Sequence, residues 1–139
     1  MVVIIYYYSN NQNYLLGGKI IYKYDNVSIN DILENNRGQK FRIIDIVSEN
    51  GKKYCEVEFL TTGSKRKIRE SSIREGFAKD RFFNDVYGIA CIGNASKVGN
   101  EKEYNLWRNM LSRCYVKTDN HYESYGGLGV SVCEEWKCF

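Results

Sequence analysis

A chain of 139 residues that is 43% hydrophobic and 14% aromatic carries enough apolar side chain for one folded domain, or two very small modules sharing a core, which excludes a disordered polypeptide. A mean hydropathy of -0.49, with no apolar run longer than residues 2–8, excludes a spanning helix of roughly 20 apolar residues. A net charge of +3 and a pI near 8.5 are too mild to separate nucleic-acid binding from ordinary solubility.

Residues 2–8 (VVIIYYY) are β-branched and aromatic and run into a Ser-Asn-Asn-Gln-Asn cluster, which predicts a strand ending in a turn. A second such run at 19–24, after Gly17-Gly18, pairs with it as a long hairpin in this reading. Ser28 with Asp31 three residues on fits a helix N-cap ahead of Ile29, Ile32 and Leu33. Residues 1–36 are therefore expected to form a hairpin and short helix appended to the rest.

From 38 to 77 the pattern becomes short strands at 41–47, 53–60 and 65–69, separated by Asn50-Gly51 and Thr62-Gly63 turns. The expected fold is α+β, built on a small Tudor-like twisted β-barrel or meander. A bare three-stranded sheet packed on the later helix is the alternative. Residues 78–100 read as a glycine-spaced connector with a short strand at 89–92. Tyr104, Trp107, Leu111 and Cys114, spaced by three and four with Met110 beside them, predict a packed amphipathic helix over 101–115. Residues 122–139 add a Gly126-Gly127-x-Gly129 turn, a short strand at 130–133 and a terminal turn around Trp136. Trp107 and Trp136 are both expected to be core anchors.

The five cysteines are Cys55, Cys91, Cys114, Cys133 and Cys138, an odd number with no C-x-x-C pair, so reduced, mostly buried thiols are expected. Cys133, Cys138 and the lone His121 are too irregularly spaced to predict a metal site, and no cofactor is expected. Positive charge gathers in one stretch: Lys65, Arg66, Lys67, Arg69, Arg74, Lys79 and Arg81 meet only Glu70, Glu75 and Asp80.

Seven motifs occur in order: Arg37-Gly38-x-x-Phe41, Val57-x-Phe59-Leu60-x-Thr62-Gly63, Ile73-x-x-Gly76, Val86-Tyr87-Gly88, Tyr104-x-x-Trp107-x-x-Met110-Leu111-x-Arg113-Cys114-Tyr115, Tyr125-Gly126-Gly127-x-Gly129-Val130 and Val132-Cys133-x-Glu135-Trp136. Over residues 37–139 the chain thereby resembles bacteriophage HNH or homing-endonuclease-like DNA-binding proteins. Full-length members of that family continue into a nuclease-like half, and nothing follows Phe139 here. HNH chemistry uses one histidine as general base and another as metal ligand, whereas this chain has His121 alone. No catalytic residue is therefore expected.

The resemblance implies a phage or prophage protein that binds duplex DNA in the host cytoplasm without cutting it. No basic start leads into an apolar stretch and cleavage site, and no membrane partner is expected. The candidate contact residues are Lys65, Arg66, Lys67, Arg69 and Arg74, with Arg108 and Arg113 on the helix, where Asn105 and Asn109 could read adenine edges. Lys-Arg-Lys-Ile-Arg alternates too poorly for all four charges to share a strand face. Reversing Arg66 and Arg69 together is expected to abolish binding while leaving the thermal midpoint nearly unchanged. The Gly126-Gly127-Leu128-Gly129 segment is expected to be a tight turn more than a phosphate cradle. The other functional reading is a counter-defence inhibitor, an anti-CRISPR for example, that blocks a host nuclease or ribonucleoprotein. Residues 1–35 would then offer the interaction surface, and Tyr22, Tyr24, Tyr122 and Tyr125 are the tyrosines expected at an interface in either reading. A folded product with no retained activity is the third reading.

Overall fold

The computed structural model describes residues 22–139, which divide into two compact units, the first ending at Lys79 and the second being Asp80–Phe139. The run at 2–8, and with it the proposed N-terminal hairpin, lies outside the described residues.

In the first unit, β1 (Ile32–Glu34), β2 (Lys40–Glu49), β3 (Lys52–Phe59) and β4 (Lys65–Arg69) form an antiparallel sheet in the order β1-β2-β3-β4. The sheet is a meander with β1 and β4 at its edges, so it does not close into a barrel. Asn50 and Gly51 supply the two positive φ angles, 49° and 71°, that a tight β2–β3 hairpin demands. Phe41, Ile43, Cys55, Val57 and Phe59 point inward by simple alternation, and Phe41 faces Phe59 with ring centroids 5.6 Å apart. Between Ile43 and Asp45 the register slips at a β-bulge, so that Ile46, opposite Cys55, resumes the core face. Ile68 of β4, Ile73 of the short helix α1 (Glu70–Arg74) and Ala78 complete the core.

The helix expected after Ser28 is instead a turn leading into β1. The Ser28 N–H donates to Asp31 Oδ2 (2.8 Å) and the Asp31 N–H to the Ser28 carbonyl (3.1 Å), while Asn30 adopts φ 72°. The capping-type bonds form, but only the one turn follows, because Ile32, Leu33 and Glu34 find ladder partners in Arg42, Phe41 and Lys40. Buried Asn35 then ties the loop to the core: its amide donates to Gln39 Oε1 (2.7 Å) and to the Ala78 carbonyl (2.6 Å), and its Oδ1 accepts from the Arg37 and Gln39 N–H groups (2.9 Å each).

The second unit is built on α2 (Glu101–Tyr115), whose expected stripe of Tyr104, Trp107, Leu111 and Cys114 is buried with Ala90 and Val132. Phe139 packs on Tyr104 and Trp107, each at 5.3 Å between centroids. The strand expected at 130–133 is absent. That segment meets α2 through a side chain instead, the Tyr115 hydroxyl accepting from the Val132 N–H (2.9 Å) and donating to its carbonyl (3.3 Å). The strand expected at 89–92 is likewise reduced to two single bridges, Val86 with Ala90 and Cys91 with Cys138, since Gly88 and Gly93 turn the chain at either end with φ 74° and 61°. The glycine turn at Gly126–Leu128 packs on α2 so closely that a Cβ at Gly126 would lie 2.1 Å from the Cys114 carbonyl. Packing thus explains Gly126, whereas Gly129 is set by its φ of 86°.

Trp136 is not a core anchor. Its carbonyl accepts the Trp107 indole N–H (2.7 Å), but its ring is 62% exposed. All five cysteines are free thiols, with Cys55, Cys91 and Cys114 buried and Cys133 and Cys138 exposed.

Candidate nucleic-acid interface

The bases clustered along the sequence are distributed in space by strand alternation. Lys65, Lys67 and Arg69 leave one side of β4, and Arg66 and Ile68 the other. Half-buried Arg66 donates its guanidinium to the Lys79 carbonyl, and so acts as a brace within the first unit. Reversing its charge would therefore disturb the fold, contrary to the unchanged midpoint expected from sequence.

Across the sheet, Lys65 faces Glu58 and Lys67 faces Glu56, while on the next strand Glu58 faces Arg42 and Glu56 faces Asp45. Lys65 lies 3.8 Å from Glu58, and Lys67 pairs with Glu49. Arg42, Lys65 and Lys67 thus stand among Asp45, Glu49, Glu56 and Glu58, so the middle of the face carries no excess of positive charge. Such exposed pairs contribute about 0–1 kcal/mol each to stability. Their larger effect is to lower the positive field over this part of the sheet.

One end of the sheet escapes this compensation. Lys52 and Lys53 follow the Asn50-Gly51 turn, and the end of β4 brings Arg69 beside them. With Gly51, Glu70 and Ser71 they line a shallow cleft of about 370 Å³. Three exposed cations meet one lining carboxylate, Glu70, with Glu49 opposite Lys52 in the strand register, and no carboxylate among the described residues forms an ion pair with any of the three cations.

The remaining predicted contacts are separate. Arg74 is half-buried: its Nε donates to the Tyr24 carbonyl (3.2 Å) and its guanidinium lies 4.0 Å from the Tyr22 ring centroid, so it holds the chain entering the meander. On α2, Arg108 is exposed and donates to the Tyr87 hydroxyl (3.2 Å), sharing its outward face with Asn105 and Asn109. Arg113, five residues on, sits on a different side of the helix over the Tyr125 ring at 5.7 Å. Among the suspected tyrosines, Tyr22 and Tyr125 are exposed, whereas Tyr24 and Tyr122 are half-buried.

The second unit also carries an apolar surface. Leu106, Trp107, Met110, Trp136 and Phe139 floor a groove of about 580 Å³ rimmed by Glu103 and Glu135. A neighbouring groove of about 510 Å³ is lined by Val130, Val132 and, shared with the first, Met110 and Trp136. Among the described residues no three of His, Cys, Asp and Glu cluster as metal ligands, and no helix is long and apolar enough to cross a membrane.

No family model, curated protein or solved structure matches this chain. The motif resemblance rests on the chain's own residues, and many of these have structural roles: Phe41, Val57, Phe59, Ile73, Trp107 and Leu111 are buried, and Gly38, Gly63, Gly76 and Gly129 adopt positive φ. Sequence reasoning passed over Lys52 and Lys53. A Lys-Lys pair directly after an Asn-Gly hairpin turn was the available signal, since such a turn projects its flanking side chains beyond the sheet.

Proposed function

We propose that this protein binds duplex DNA without cleaving it, holding the phosphate backbone with Lys52, Lys53 and Arg69. The carrying observation is the cleft at the end of the sheet, where these cations converge beside a single lining carboxylate, Glu70, and none of the three is held in an ion pair as Lys65 and Lys67 are. In this reading the meander serves as a small Tudor-like scaffold for a loaded hairpin, and Asn105, Arg108 and Asn109 offer a second contact surface. The resemblance to phage homing-endonuclease-like proteins supports DNA as the partner and a phage or prophage origin. The presence of His121 alone supports binding without hydrolysis. The test is a gel-shift titration against labelled random duplex at low and physiological salt, with magnesium present. A shift that weakens steeply with salt over intact DNA is expected, because each phosphate contact releases counterion. No shift at low salt would refute binding, and cut DNA would refute the non-catalytic assignment.

A second reading is favoured by one observation, the exposed Trp136 between two apolar grooves. In that reading the second unit docks on a host nuclease or CRISPR effector. Co-purification of such a protein, lost in Trp136→Ala and retained when Lys52 and Lys53 are neutralised, would select it over DNA.

A further inference from the structure

Cys91 and Cys138 face each other across an isolated parallel bridge, in which the Cys91 N–H donates to the Lys137 carbonyl and the Phe139 N–H to the Cys91 carbonyl, both at 2.9 Å. Paired strands run about 4.8 Å apart, within the window of about 4.4–6.8 Å between Cα atoms that a disulfide accepts. Cys138 is also close enough to Cys91 to raise its thiol, after burial itself. Gly93 leaves the room for this, since a Cβ there would lie 2.3 Å from the Cys138 sulfur. Cys138 is exposed and Cys91 buried, so one thiol is open to a reagent while the other waits beneath it. The nearest competitor in sequence, Cys133, is exposed and takes no part in this bridge.

We infer that Cys91 and Cys138 form a reversible oxidation site, closing to an intramolecular disulfide with a low-molecular-weight disulfide as oxidant. The Cys138 thiolate attacks one sulfur of the oxidant, whose S–S bond breaks and releases one thiolate. Cys91 then gives its proton to water, and its sulfur attacks Cys138 Sγ in the mixed disulfide, expelling the second thiolate. Two protein thiols and one small disulfide become one protein disulfide and two small thiols. Burial and the neighbouring Cys138 push the Cys91 thiol up to about 11, so the closing step is slow at neutral pH and accelerates as pH rises. Closure fixes the 137–139 segment, including Phe139, against the floor of the groove beside α2.

The experiment treats the full chain with oxidised glutathione, quenches with acid and maps tryptic peptides. The expected product has lost two hydrogens and joins the 82–97 peptide, which carries Cys91, to the Cys138-Phe139 dipeptide. It is reversed by dithiothreitol, forms equally in Cys133→Ser and melts at least about 5 °C higher than the reduced protein. In Cys138→Ser, Cys91 is expected to stay reduced. A glutathione adduct that persists on Cys138, or a link from Cys138 to Cys133, would overturn the assignment.

Discussion

The two units expose different chemistry. The outer face of the first unit's sheet alternates acids and bases until the β2–β3 turn, where Lys52, Lys53 and Arg69 stand together. In the second unit a single helix and three short 3-10 turns leave Leu106, Leu128, Val130 and Trp136 exposed. A sheet satisfies its backbone through its ladder, so its outer face can be given over to charge. One helix cannot enclose an apolar stripe alone, and irregular segments cover only part of it. The first unit is therefore suited to electrostatic contact and the second to apolar contact.

The largest effects come from emptying either core. Phe41→Ala in the first unit is expected to cost about 3–5 kcal/mol and Leu111→Ala in the second about 2–5 kcal/mol, measured by urea unfolding. Both tryptophans lie in the second unit, so fluorescence reports on that unit while circular dichroism reports on both. Asn35→Ala removes the buried hub of the first unit and is expected to cost about 1–3 kcal/mol, because Ala78 and Gln39 lose buried partners. A smaller effect separates the units by pH. Burial raises Cys55 in the first unit and Cys91 in the second to about 11 from 9.0. A raised folded value means the unfolded chain loses its proton first. The stabilisation is thus complete below pH 9 and lost as pH rises toward 11, and thermal scans across that range should show falling midpoints. Cys55→Ala should flatten only the part owed to the first unit. Smallest of all, Lys65→Gln should change stability by less than about 1 kcal/mol, since its pair with Glu58 is exposed.

What was legible in the sequence was local. β4 and α2 lie at 65–69 and 101–115 as expected, because alternation and the three-four stripe are short-range patterns matched by burial on one side. The hairpin turn at Asn50-Gly51 was equally plain. The Ser28 capping pattern misled because its bonds serve a one-residue choice between helix and ladder, decided by β2 from ten residues away. Trp136 misled because its backbone, not its ring, is what α2 uses. The charge cluster at 65–69 reads differently in space, since the acids beside Lys65 and Lys67 come from β2 and β3. Net charge along a chain and net charge across a face are different quantities, and only strand register connects them.

The most direct measurement compares two charge-neutralised pairs, Lys52→Gln with Lys53→Gln and Lys65→Gln with Lys67→Gln, in duplex DNA titrations over a range of salt. Both pairs change net charge equally, so any difference reports position. The first pair is expected to weaken binding by about tenfold or more and to lower the salt slope by about two, and the second to remain near the parent. Equal losses in both pairs, or a greater loss from Lys65 and Lys67, would contradict a DNA contact centred on the hairpin end of the sheet.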